Sequence, residues 1–132
     1  MALGARGRVF LIALVLGLGL WLVPQTFYGQ AGPWDGSGPA YPLVLFGVGL
    51  LLGWFVPGKA DAVAGGLFLG QLVVLLIRVL GSAETRAIWL VSVVMLAGYT
   101  FVAGGLGALL GGLLRRRLAR PPAERRVSDR RM

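Results

Sequence analysis

The chain has 132 residues, 57% of them hydrophobic and only 14% charged, with a formal net charge of +8. An average soluble domain carries about 25% charged residues. Residues 115–132 hold ten of the 18 charges, so the first 114 positions share eight. A water-soluble globule could not cover its surface with so few, which means that most of this chain faces lipid. Cys, His and Asn are absent. That excludes disulfides, thiol nucleophiles, His/Cys metal sites and Ser–His triads, and no cofactor is expected. Only Ser, Thr and Tyr remain as nucleophiles, with no base beside them, so the sequence does not read as an enzyme.

Val9–Val23 is the first apolar run, preceded by Arg6 and Arg8 and followed by Pro24. Fifteen residues make a helix of about 22 Å, short of a hydrocarbon core of about 30 Å. Continuation through Pro24 to Phe27 and Tyr28 fills the gap, giving a span over about 7–28. The same segment also resembles a signal peptide, with small residues at Gly29 and Ala31. Pro24 and the bulky aromatics before that cut favour the uncleaved span. Gly29–Ala40 is rich in Gly and Pro and reads as a loop.

Tyr41–Val56 is the second run, closed by Pro57-Gly58, for a span over 41–57. The third, 62–80, follows Asp61, which is placed to cap its helix and complement the dipole. The fourth covers about 86–111, with Ser82 and Glu84 at its start. Its apolar stretch from Ala87 to Leu114 would run about 42 Å as a helix. It is expected to bend at Gly104-Gly105 and to continue past the hydrocarbon next to the arginines. None of the four shows the polar stripe of a soluble helix. The expected fold is therefore all-α: a transmembrane domain over 1–114, with four helices in an up-down bundle. A disordered basic tail over 115–132 completes it.

Cytosolic termini would place Arg6, Arg8, Lys59 and the eight tail arginines inside, and only Arg78 and Arg86 outside. Eleven against two is a strong positive-inside bias. Trp21, Phe27, Tyr28, Trp34, Tyr41 and Trp89 would form an outer aromatic belt, with Phe10 and Trp54 near the inner face. The excess of arginine over lysine suggests a GC-rich bacterial genome, and hence a bacterial inner membrane.

Glycine is abundant, with 22 residues. Gly49-x-x-x-Gly53, Gly66-x-x-x-Gly70, Gly107-x-x-x-Gly111 and Gly104-x-x-x-Ala108-x-x-x-Gly112 have the spacing that lets helices approach closely in lipid. They would serve packing within the chain, a homo-oligomeric seam, or docking to a larger membrane complex. Gln71 is the strongly polar side chain nearest the centre of a span. It is expected to act as interhelical glue, with Tyr99 and Thr100 as further hydroxyls. Gln71, Val74, Leu75 and Arg78 share a helical face, which leaves a polar path as the alternative. Arg78 is expected to snorkel outward or to pair with Glu84.

No carboxylate lies within a span, which argues against a cation-coupled transporter, including the small multidrug-resistance type. The run Gly104–Leu110 followed by arginines resembles a segment of small fluoride channels only superficially, because the pore asparagines of that family have no counterpart. In the tail, Arg115, Arg116, Arg117 and Arg120 fit a topogenic anchor in contact with anionic lipid. With no aromatic residue interleaved, nucleic acid is the poorer partner. The expected role is a structural, assembly or accessory subunit of a membrane complex. The alternative is an oligomeric small-solute channel or transporter.

Overall fold

The computed structural model describes residues 3–28 and 40–120, without the side chains of 23–28 and of Glu84. The described residues are all-helical: α1 (Ala5–Tyr28), α2 (Ala40–Phe55), α3 (Ala60–Gly81), α4 (Ala83–Tyr99), a π-helical turn (Thr100–Gly104) and α5 (Gly105–Ala119). Three segments are long and apolar enough to cross a membrane: Ala5–Leu22, Ala60–Gly81 and Thr85–Ala119. The fourth apolar helix, α2, is shorter at 16 residues.

Several boundaries differ from expectation, each for a local reason. Helix α2 ends at Phe55, ahead of Pro57, and the following Gly58 has φ +86°, a left-handed conformation that glycine adopts without strain. Helix α3 begins at Ala60, so Asp61 sits inside its first turn instead of capping it. The Asp61 carboxylate is drawn across to α1, where it pairs with the Arg6 guanidinium. At the start of α4, by contrast, the Ser82 hydroxyl accepts a hydrogen bond from the Thr85 backbone N–H at 3.5 Å.

The irregularity expected at Gly104-Gly105 is a π turn that ends at Gly104. Such single-turn widenings interrupt long helices and are frequent at functional positions. Beyond it, α5 runs on through Arg115, Arg116 and Arg117 to Ala119. Helix therefore extends past the tail boundary expected at 115, consistent with the good helix propensity of Leu and Arg. The tail from Pro121 onward and the loop over 29–39 lie outside the described residues.

Two helix pairs form the core, each packed backbone to backbone. In the first, α3 lies along α1. A β-carbon on Gly70 would sit 2.9 Å from the Leu18 nitrogen and closer still to the Leu14 carbonyl oxygen. One on Gly66 would sit 2.7 Å from the Ala13 Cβ, and one on Gly17 would sit 2.5 Å from the Leu67 carbonyl oxygen. In the second pair, α5 lies along α2. A β-carbon on Gly107 would sit 2.9 Å from the Leu50 nitrogen, and one on Gly111 would sit 2.8 Å from the Trp54 nitrogen. From the other side, β-carbons on Gly49 and Gly53 would run into the carbonyl oxygens of Gly104 and Ala108. In both pairs later residues of one helix meet later residues of the other, so the paired helices run parallel.

Helix α3 then joins the two pairs. Val63 and Leu67 pack with Val9, Ala13 and Ala108, while Val74, Leu75, Leu96 and Trp21 form a second apolar cluster. Outward, the bundle presents large apolar side chains such as Leu43, Leu51, Ile77, Leu90, Val94 and Leu109. That is the pattern expected where hydrocarbon replaces water as the solvent.

Candidate functional site

A single amide organises the polar interior. Gln71, in the middle of α3, is completely buried. Its Oε1 accepts hydrogen bonds from the Trp21 indole Nε1–H of α1 at 3.2 Å and from the Tyr41 hydroxyl of α2. Its Nε2 donates to the Leu67 carbonyl at 3.1 Å and to the Thr100 Oγ1 of the π turn at 3.0 Å. A carboxamide has two N–H donors and an oxygen with two lone pairs. All four capacities are taken, and the side-chain partners come from each of the other three apolar segments.

The sequence explains how this convergence arises. Gln71 follows the Gly66/Gly70 seam by one residue, where α1 comes nearest, and this brings Trp21 within reach. Tyr41 stands in the first turn of α2, and Thr100 is the first residue of the π turn; both are buried. Tyr99, its neighbour, makes an edge-to-face contact with the Tyr41 ring at 5.5 Å between centroids. Buried hydroxyl and indole groups need partners in an apolar interior, and Gln71 supplies them.

This corrects two expected roles. Trp21 and Tyr41 were expected in the outer aromatic belt, yet they are 1% and 6% exposed and turn into the bundle. An aromatic residue near a helix end has the same sequence signature whether it faces headgroups or a buried amide. Trp89 is exposed, whereas Trp34 and the side chains of Phe27 and Tyr28 lie outside the described residues.

Arg78 lies two turns beyond Gln71 on the same face of α3. Its guanidinium sits 5.9 Å from the centroid of the Trp21 ring, a cation–π arrangement. The intervening Val74 and Leu75 are buried and apolar. Gln71 and Arg78 thus share Trp21, with no polar group between them on α3. The side chain of Glu84, its expected partner, is outside the described residues.

The small residues singled out from sequence fall on the two helix seams. Gly66 and Gly70 face α1, while Gly49, Gly53, Gly104, Gly107, Ala108 and Gly111 line the contact between α2 and α5. Gly112 faces Pro57, whose Cα would be 3.4 Å from an added β-carbon. Ala13 and Gly17 of α1 complete the first seam and carry no paired-glycine signature of their own.

The basic end of the bundle is held by the first tail arginines. Arg115 donates from Nη1 to the Trp54 carbonyl at 2.9 Å and to the Phe55 carbonyl, satisfying the last turn of α2. Arg116 reaches over Gly58: its Nη2 would be 2.7 Å from a β-carbon there. Arg116 also lines a pocket of about 300 Å³ with Gly58, Ala60, Asp61 and Gly112. Arg117 and Arg120 are exposed at the end of α5. The Arg6–Asp61 pair is 72% and 58% exposed, a setting in which ion pairs contribute about 0–1 kcal/mol. Asp61→Asn should therefore shift stability by less than about 1 kcal/mol in a detergent-denaturation titration. Arg115→Ala should cost about 1–2 kcal/mol in the same titration, since charged hydrogen bonds to helix carbonyls are lost.

Among the described residues, no group of three or more His, Cys, Asp or Glu side chains could hold a metal ion. Comparison with protein-family models, curated proteins and solved structures returns no match.

Proposed function

We propose that this chain is a non-catalytic integral membrane protein with four spans in an up-down bundle, acting as a structural, assembly or accessory subunit of a membrane complex. The saturation of Gln71 carries this reading. Its four hydrogen bonds tie together all four spans and leave the amide no capacity for a solute. A transport path through hydrocarbon needs polar groups able to exchange partners, and Val74 and Leu75 interrupt any stripe from Gln71 to Arg78.

The distribution of basic residues supports an orientation with both termini in the cytosol of a bacterial inner membrane. Arg6, Arg8, Lys59 and Arg115–Arg117 then gather at one end, where anionic headgroups contribute about 1 kcal/mol per basic residue near the surface. Helix α2, about 24 Å long at 1.5 Å per residue, stands nearly upright or thins the bilayer locally. An accessory subunit of this kind is held to its complex through its lipid-facing apolar surface and its basic tail.

Native mass in mild detergent tests the proposal. Co-purification with unrelated membrane subunits is the expected result. A homogeneous homo-oligomer that conducts a solute in liposomes would overturn it in favour of a channel.

A further inference from the structure

We propose that the pocket at the basic end of the bundle binds one phospholipid with an anionic headgroup, its phosphate held by Arg116 and an acyl chain lying along α5. This assignment rests on the orientation proposed above, with the basic end at the cytosolic leaflet. One wall of the pocket is a single stripe of α5: Leu109, Gly112, Leu113 and Arg116, at the i, i+3, i+4 and i+7 positions that share a helical face. The opposite wall is Gly58 of the α2–α3 turn with Ala60 and Asp61 of the first turn of α3. Gly58, Ala60 and Gly112 leave the space, and the α5 stripe grades from apolar to charged.

Charge decides the sign of the ligand. Asp61, the carboxylate of the pocket, is already paired with Arg6 of α1. Arg115 is engaged by the Trp54 and Phe55 carbonyls. The Arg116 side chain makes no hydrogen bond or ion pair among the described residues. Its guanidinium stands over the α2–α3 turn because Gly58 has no side chain: a β-carbon there would be 2.7 Å from Nη2. A positioned guanidinium without a counter-ion fits a phosphate, whose oxygens accept from its paired N–H donors. A second pocket, of about 500 Å³ between α1 and the start of α3, makes the contrast. Its arginine is Arg6, which Asp61 already neutralises.

Size and depth favour a lipid over a free anion. A volume of about 300 Å³ lies at the lower end of ligand pockets, which run from about 300 to 1,000 Å³, so it takes a headgroup and not a whole lipid. From Leu109 to Arg116, seven residues rise about 10 Å. The headgroup layer of one leaflet is only about 5–8 Å thick. A phosphate at Arg116 therefore leaves Leu109 and Leu113 at the depth of the acyl chains, and these two side chains are 54% and 55% exposed. Basic pockets between helices on the cytosolic side are suited to anionic headgroups in this way.

Native mass spectrometry of the full-length chain in mild detergent, titrated with phosphatidylglycerol, tests the site. One phosphatidylglycerol per chain should be retained in preference to phosphatidylcholine, and excess inorganic phosphate should not displace it. Arg116→Gln should weaken this binding about tenfold, the equivalent of about 1.4 kcal/mol for one charged contact. Arg117→Gln removes the same charge one residue further round the helix, outside the pocket, and should cost about threefold or less. Asp61→Asn removes the carboxylate and releases Arg6, so it should tighten binding. Equal losses in Arg116→Gln and Arg117→Gln, or phosphatidylcholine held as firmly as phosphatidylglycerol, would overturn the site. Displacement by inorganic phosphate would overturn the lipid as its ligand. Flotation of the chain with liposomes after a carbonate wash is scored separately. Without flotation the membrane reading falls and the site with it; with flotation, the lipid titration judges the site alone.

Discussion

Gly53→Leu is expected to leave little folded protein, whereas Gly47→Leu on the same helix is expected to fold as the parent does. The two glycines differ in what a side chain would meet. A β-carbon at Gly53 would lie 2.6 Å from the Ala108 Cα and nearer still to its carbonyl oxygen, whereas nothing lies within 4 Å of one at Gly47. The obstruction at Gly53 is backbone of α5, which cannot rotate aside as a side chain can. Relief requires α2 and α5 to separate along the whole seam, losing the close contacts at Gly49, Gly107 and Gly111 together. In the membrane setting proposed above, lipid is as apolar as the side chains, so that van der Waals contact is not replaced by a hydrophobic driving force. A small overpacking costs about 1–3 kcal/mol, and a leucine facing backbone should exceed about 3 kcal/mol. Detergent-denaturation midpoints of the two variants check it. A Gly53→Leu protein as stable as Gly47→Leu would remove the seam from the account of this fold.

Composition made long apolar helices legible, because so few charges before residue 115 leave little else to build them from. Glycine spacing made close approach legible, but not the pairing. A stripe of small residues says that some helix comes near, and the choice of α1 for α3 and α2 for α5 depends on complementary ridges. Ala13 and Gly17 show the difficulty: α1 carries half of the first seam with an alanine in place of one glycine.

Gln71 stood out as the polar group nearest the centre of a span, and Thr100 as a hydroxyl within reach. Trp21 and Tyr41 could not be assigned to it beforehand. Without a polar stripe, an apolar helix gives no sign of which face turns inward. The Asp61 cap failed because the helix starts one residue earlier, at Ala60, which puts Asp61 inside the first turn, where its carboxylate pairs with Arg6. The helix ran beyond Leu114 because Arg continues a helix readily, and the first strong stop in the sequence is Pro121-Pro122.

Gln71→Leu keeps the side chain's volume and removes its four hydrogen bonds, so it isolates the worth of the hub. The Trp21 indole, the Tyr41 hydroxyl and the Thr100 hydroxyl then lose their common partner in a site closed to water. A single interhelical hydrogen bond in a membrane contributes about 0.6 kcal/mol on average and up to about 2. An orphaned buried polar group costs about 1–3 kcal/mol. The losses overlap, because Tyr41 and Thr100 can turn toward each other and Thr can bond its own preceding turn. A net destabilisation of about 2–3 kcal/mol is therefore expected, below that of Gly53→Leu but well above that of Asp61→Asn. Tryptophan fluorescence separates this from a general loosening. Relaxation around Trp21 should shift its emission while the helical content stays at the parent level. The control is Gln71→Glu, which keeps the shape but buries a carboxyl group in the spans. It should be worse than leucine at neutral pH, since burying an unpaired charge costs more than removing a neutral hydrogen-bonding group. If Gln71→Leu were as stable as the parent, the amide would not be what holds the four helices together. Its buried hydrogen-bonding capacity would then have to be explained by a role in what passes between them.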